Sequence, residues 1–174
     1  MTQAPDLQSR PVEQHLVHRQ KRHDAGALWM RDKRSIVLLI EGNEKDVFQF
    51  RCAVKSVTQT VDVCVAGNVD DGCDCLERRG RFLPPKALAA APDLIIANLQ
   101  IVAGVEFLKW VRGHPDHNQL PVVLWSDQLP AASIKTLREA GATDYVVKRL
   151  DFPRLCSDIY SMLQHLHRPS VRGK

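Results

Sequence analysis

Glu41, Asn98, Ser126 and Lys148 each stand directly after a short apolar run, in IVLLI-E, DLIIA-N, VVLW-S and DYVV-K. If those runs are parallel strands of one sheet, a carboxylate, an amide, a hydroxyl and an ammonium group meet at the strands' carboxyl ends. That is where ligands of open α/β sheets bind. No GxGxxG or GxxxxGK[ST] phosphate loop accompanies them, which argues against nucleotide binding. His114, His117, His165 and His167 pair with no Ser or Cys nucleophile, so a hydrolase has no support. Cys73-x-Cys75 is the only close cysteine pair along the chain. Zinc would need two further ligands at a suitable spacing, which are missing, so no metal is expected.

The elements that must position these residues follow from the hydrophobic pattern. Residues 36–40 are an uninterrupted aliphatic run, as in a strand buried on both faces. Asn43 is a plausible N-cap for a helix over 44–57. A strand at 61–65 and a helix at 69–79, closed by Gly80, come next. A loop with Pro84-Pro85 and an alanine-rich stretch leads to a strand at 93–98. Then follow a helix at 105–112, a strand at 121–125, a helix near 131–140, a strand at 142–147 and a helix at 152–166. Five strand–helix alternations with connections too long for hairpins predict an α/β fold: a doubly wound five-stranded parallel sheet with helices on both faces.

The 174 residues suit one domain with extensions, and 44% hydrophobic with 25% charged residues is ordinary for a globular chain. No run reaches the roughly 20 apolar residues of a membrane helix. The first residues, MTQAPDLQSR, do not read as a secretory signal, so the expected location is the cytoplasm. Five cysteines, an odd number, then read as reduced thiols. Residues 1–34 hold seven Lys/Arg against four acids and form a basic N-terminal extension. Within it, residues 25–30, with Trp29, could form a short docked helix. Residues 35–167 are the domain, and Arg168, Arg172 and Lys174 make a basic C-terminal tail over 168–174. Such extensions either stay solvated or attract nucleic acid, anionic lipid or an acidic partner.

Three stretches then point to a family: LERRGRFLPPKALAAAPDLII, HPDHNQLPVVLWSD and EAGATDYVVKRLDF. In order and in their places on the strand ends they resemble the receiver domain of response regulators, a CheY-like, flavodoxin-like fold. The resemblance covers roughly 34–166. It is strongest to the short single-domain regulators paired with phytochrome-type histidine kinases, and GA-x-x-Y-x-x-K is its most specific segment.

The resemblance implies a magnesium-holding acidic pair after the first strand and an aspartate phosphoacceptor on the third. It also implies a Thr or Ser on the fourth strand and a Lys on the fifth. Here the acidic pair is Glu41-Gly42, of which only Glu41 can ligate a cation. The phosphoacceptor position falls on Asn98, a neutral, poor nucleophile. Ser126 and Lys148 are retained, and Tyr145 matches a switch position that turns inward on activation. The loop 100–104 is about two residues short and lacks proline. Arg149 replaces a proline whose cis bond would cost a non-proline about 2.5–4 kcal/mol.

The pocket therefore reads as vestigial, with no catalytic residue, no cofactor and no metal. Lys148 is either a structural ion-pair partner of Glu41 or Asn98, or part of a ligand site. Ser126 is either a strand-end hydroxyl or a remnant of the switch. Trp110 is expected near solvent, either as an exposed interface anchor or half-covered by a neighbouring loop, and Trp125 is expected to fill space beside the pocket. The expected function is that of an atypical response regulator, a pseudo-receiver, acting through protein contacts with a histidine kinase or another regulator. A homodimer face is expected at Arg138, Tyr145, Asp158 and Tyr160. A nucleic-acid-binding adaptor using the basic tails is the alternative; no recognisable DNA-binding module follows the domain. A third possibility is phosphorylation at Glu41 or Ser126.

Overall fold

Short apolar runs alternate with one-sided helical stretches, and the computed structural model describes residues 34–82, 91–149 and 151–167 as five strands and five helices. They are β1 (Ser35–Ile40), α1 (Glu44–Val57), β2 (Val61–Ala66), α2 (Val69–Leu76), β3 (Leu94–Ala97), α3 (Ile101–Gly113), β4 (Val122–Ser126), α4 (Ala131–Glu139), β5 (Asp144–Val147) and α5 (Phe152–Leu163). All strand pairs are parallel, in the order β2-β1-β3-β4-β5. This is the flavodoxin-like order, with its switch point between β1 and β3. The expected basic N-terminal extension up to residue 33, the helix expected over 25–30, the loop expected at Pro84-Pro85 and the expected C-terminal tail lie outside the described residues.

Alternation along β1 explains the two cores. Val37 and Leu39 point into a cluster with Phe50 of α1 and Leu155 and Ile159 of α5. Leu38 and Ile40 point to the opposite side, against Leu76 of α2, Phe107 and Leu108 of α3 and Leu137 of α4. Each such side chain contributes roughly 1.5–3 kcal/mol on burial. Helix starts are fixed locally. Asn43 Oδ1 accepts from the Lys45 and Asp46 amides at 3.0 and 3.4 Å, and Asp151 caps α5 through the Arg154 amide at 3.1 Å.

Several boundaries differ from expectation. Helix α2 stops at Leu76 rather than 79, because Arg78 (φ 56°) and Gly80 (φ 55°) turn left-handed and lead into a 3₁₀ turn, Gly80–Phe82, that buries Phe82. Helix α3 begins at Ile101, so residues expected in a loop are helical and only 98–100 connect it to β3. Gly104 then allows close packing, since a Cβ there would lie 3.0 Å from Leu137 Cδ2. Helix α5 gives way at Gln164 to a 3₁₀ turn. Trp110 is half-buried, packed by the rings of Phe107, His114 and His117. Burial, then the neighbouring His114, holds the His117 imidazole below its ordinary pKa. Among the described residues no helix is long and apolar enough to cross a membrane.

Away from the strand ends that carry Glu41 and Lys148, Arg112 gathers three backbone carbonyls. Its guanidinium donates to Gly141 O at 3.0 and 2.6 Å, to Asn118 O at 3.1 Å and to Leu120 O at 2.8 Å. It thereby ties the end of α3 to the approach to β4 and to the turn before β5. Gly141 has φ +112°, and a Cβ would meet Arg112 Cγ at 2.7 Å. Gly141→Ala is expected to lower the unfolding free energy by about 2 kcal/mol in urea denaturation, from left-handed strain and displacement of Arg112; an unchanged midpoint would contradict this.

Candidate functional site

Backbone hydrogen bonds continue past the strands and place the residues after them. Glu41 N donates to Ala66 O at 2.9 Å, Asn98 N to Ile40 O at 2.9 Å and Lys148 N to Ser126 O at 2.8 Å. The first residues beyond β1, β3 and β5 are thus held by neighbouring strands rather than by flexible loops.

Lys148 organises the site. Its ammonium donates to Glu41 Oε2 and, at 2.6 Å, to Asp46 Oδ2. The side chains of Lys148, Glu41 and Asp46 are 11%, 2% and 19% exposed. Glu41 Oε1 accepts the Asn43 amide at 2.8 Å. The Lys148 Nζ also lies 4.6 Å from the centre of the Trp125 ring, within cation–π range. Trp125 is buried, packed at 5.3 Å between ring centres against Phe50 of α1. Trp125 therefore fills space, as expected, and also forms one wall around the ammonium.

Of the two partners open to Lys148 from sequence, the structure brings Glu41 to it and adds Asp46. Sequence reasoning missed Asp46 because an acid in a helix's first turn is ordinarily explained by the helix dipole. The Asn98 side chain is half-buried at the end of β3. Ser126 is buried and its hydroxyl donates to Asp127 O at 3.2 Å. The Tyr145 hydroxyl donates to Asp127 O at 2.5 Å and accepts from Leu129 N at 2.9 Å, while its ring packs against the core on the α3–α4 side. Gly42 lies at a tight passage, where a Cβ would be 3.0 Å from Gly67 O. An open groove of about 490 Å³ runs beside it, lined by Glu41, Gly42, Phe48, Arg51, Gly67 and Arg81, among others.

The expected interface residues differ among themselves. Tyr160 is 59% exposed on α5, and the exposed Arg138 reaches Asp144 at 3.9 Å. Asp158 is largely covered and pairs with Arg149 at 3.7 Å. The cysteines also regroup. Cys75 of α2 meets Cys64 of β2, Sγ to Sγ 3.5 Å, a contact that spacing along the chain does not reveal.

No family model matches the chain. It is 25% identical over 130 residues to the polar-differentiation response regulator DivK of Brucella anthropi, covering 73% of this chain and 94% of that protein. Its DivK counterpart from Brucella ovis is 28% identical over 74 residues, 41% of this chain and 60% of that protein. Among solved structures, the phosphorylated cyanobacterial phytochrome response regulator RcpA superposes with a TM-score of 0.64 at 21% identity, over 75% of this chain and 92% of that one. A response regulator in red light signaling of R. palustris gives 0.67 at 19% identity, over 75% and 92%. The bacteriophytochrome response regulator RtBRR gives 0.62 at 24% identity, over 76% and 78%. These structural likenesses are of fold.

Removing the ammonium would leave the buried Glu41 carboxylate facing the partly buried one of Asp46. Lys148→Met is expected to destabilise the protein by about 3 kcal/mol in urea denaturation. Adding Glu41→Gln and Asp46→Asn is expected to recover most of that loss; no recovery would mean that Lys148 acts through packing alone.

Proposed function

The homologues of this chain are receiver domains of response regulators, and from that premise we propose that it is an atypical response regulator of two-component signalling that works by protein contact without aspartyl phosphorylation. The observation that carries this is the Lys148 ammonium bound between Glu41 and Asp46, in a pocket whose phosphoacceptor position is the amide Asn98. An amide does not form an acyl phosphate, because it lacks the carboxylate's charge and nucleophilic oxygen.

The donor set also does not fit the divalent cation such chemistry uses. One Glu41 oxygen accepts the Asn43 amide and the other accepts Lys148, and Gly42 offers no side chain. A hard cation would have to displace Lys148 from both Glu41 and Asp46, and position 42, where the second acid of the pair is expected, offers no side chain. The inward tyrosine supports a domain held in one state: the Tyr145 hydroxyl is anchored to the segment after β4 by two backbone groups, with no phosphoryl group required.

Acetyl phosphate with Mg²⁺, followed by intact-mass spectrometry, tests the proposal. No adduct is expected on the native chain, whereas a phosphate adduct would overturn it. Asn98→Asp is the informative companion. Gly42→Asp would also push against the Gly67 carbonyl, so the double variant tests the fold as well as the chemistry.

Output through a homodimer or a signalling partner is assigned to the face made by α4, β5 and α5, where Tyr160 and Arg138 are exposed. Tyr160→Asp is expected to weaken self-association or partner binding at least tenfold in sedimentation or titration, from loss of an aromatic anchor; unchanged association would remove this face.

A further inference from the structure

We propose that Cys64 and Cys75 form a reversible intramolecular disulfide on exposure to a hydroperoxide, tying α2 to the edge strand β2. The two sulfurs already face each other at 3.5 Å, with Cys75 in the last turn of α2. A disulfide of about 2.0 Å requires them to close by about 1.5 Å. The two cysteines stand eleven positions apart, so the bond closes a short loop within one strand–helix unit.

The surroundings make the two thiols unequal. The hydrogen bond from Cys75, then the nearby Arg81 and Arg51, draws the Cys64 thiol down to about 7 despite its burial, while that same bond keeps the Cys75 thiol protonated. Cys64 is thus the nucleophile and Cys75 the resolving thiol. Arg51 and Arg81 also line the open groove, together with Val65 and Gly67 of the chain just after Cys64. Cys64 itself is half-buried, beside the Arg81 and Arg51 guanidinium groups. Cys73, two residues before Cys75, is a poor competitor. Burial, then Glu77, Asp70 and Asp74, raises its thiol to about 11. Cys156 packs with the core on the opposite face of the sheet.

The chemistry balances with a hydroperoxide as oxidant. The Cys64 thiolate attacks the peroxide's distal oxygen, the O–O bond breaks, and the product is a Cys64 sulfenic acid with hydroxide (or alkoxide) leaving. The Cys75 sulfur then attacks the Cys64 sulfur, the S–O bond breaks, and the Cys75 proton leaves with the hydroxyl as water. Two electrons pass from the two thiols to one peroxide, and an external dithiol reverses the change.

The test uses the full chain, reduced and then treated with hydrogen peroxide, its remaining thiols alkylated. Cleavage on the amino side of aspartates, at Asp70, Asp71 and Asp74, puts Cys64, Cys73 and Cys75 on separate peptides. The expected product is a dithiothreitol-sensitive link between the peptide beginning at Asp62 and the one beginning at Asp74. Cys75→Ser is expected to lose the link and leave a Cys64 sulfenic acid that dimedone captures. Recovery of Cys64 and Cys75 as alkylated thiols, or links through Cys73 or between molecules in their place, would overturn the proposal. The mapping on the native chain decides it even where the variant fails to fold.

Discussion

An ammonium group largely withdrawn from water between two carboxylates is the constraint on which the rest of this site depends. Lys148 is held at 11% side-chain exposure by Glu41 and Asp46 and is covered by the Trp125 ring. Desolvating three charges is expensive, and their attraction offsets it only in good geometry with the remaining oxygens also satisfied. The structure meets that condition through the Asn43 amide on Glu41, and through α1, whose cap at Asn43 sets where Asp46 falls. With one cation already shared by two anions, a neutral residue at position 98 adds no further negative charge to a poorly solvated pocket.

The sheet supplies the rigidity that this cluster needs. Parallel pairing carries the backbone of Glu41, Asn98 and Lys148 one bond beyond each strand, so their positions follow from ladder register. The cores on the two faces meet the site unequally. Trp125 and Phe50 close it from the α1–α5 side, while the Tyr145 ring belongs to the α3–α4 side and its hydroxyl anchors the segment after β4. A change in that segment would therefore have to break two backbone hydrogen bonds before it moved the tyrosine.

Toward β2 the structure is built differently. Gly42 and Gly67 approach closely, α2 is short, and a non-glycine residue, Arg78, adopts a left-handed φ just after it. The Cys64–Cys75 contact lies in this unit, away from the Lys148 cluster. A covalent link there would tie β2 to α2 without touching Lys148, Glu41 or Asp46.

Strand and helix order, the two-sided burial of β1 and the residues at the strands' carboxyl ends were legible in the sequence, because each rests on a local period. Aliphatic runs of strand length buried on both faces leave little choice but a parallel sheet. Glu41, Asn98, Ser126 and Lys148 follow as the residues just beyond. Tertiary structure alone decided that Lys148 is shared with Asp46, 102 residues away, that Trp110 is enclosed by histidines, and that Cys75 faces Cys64 rather than serving as partner to Cys73. It also decided that α3 starts at Ile101, with Gly104 packed closely on Leu137. The physical reason is common to all four. A period reports which face of an element is buried, whereas a partner across elements depends on strand order and helix rotation, which only the assembled core sets.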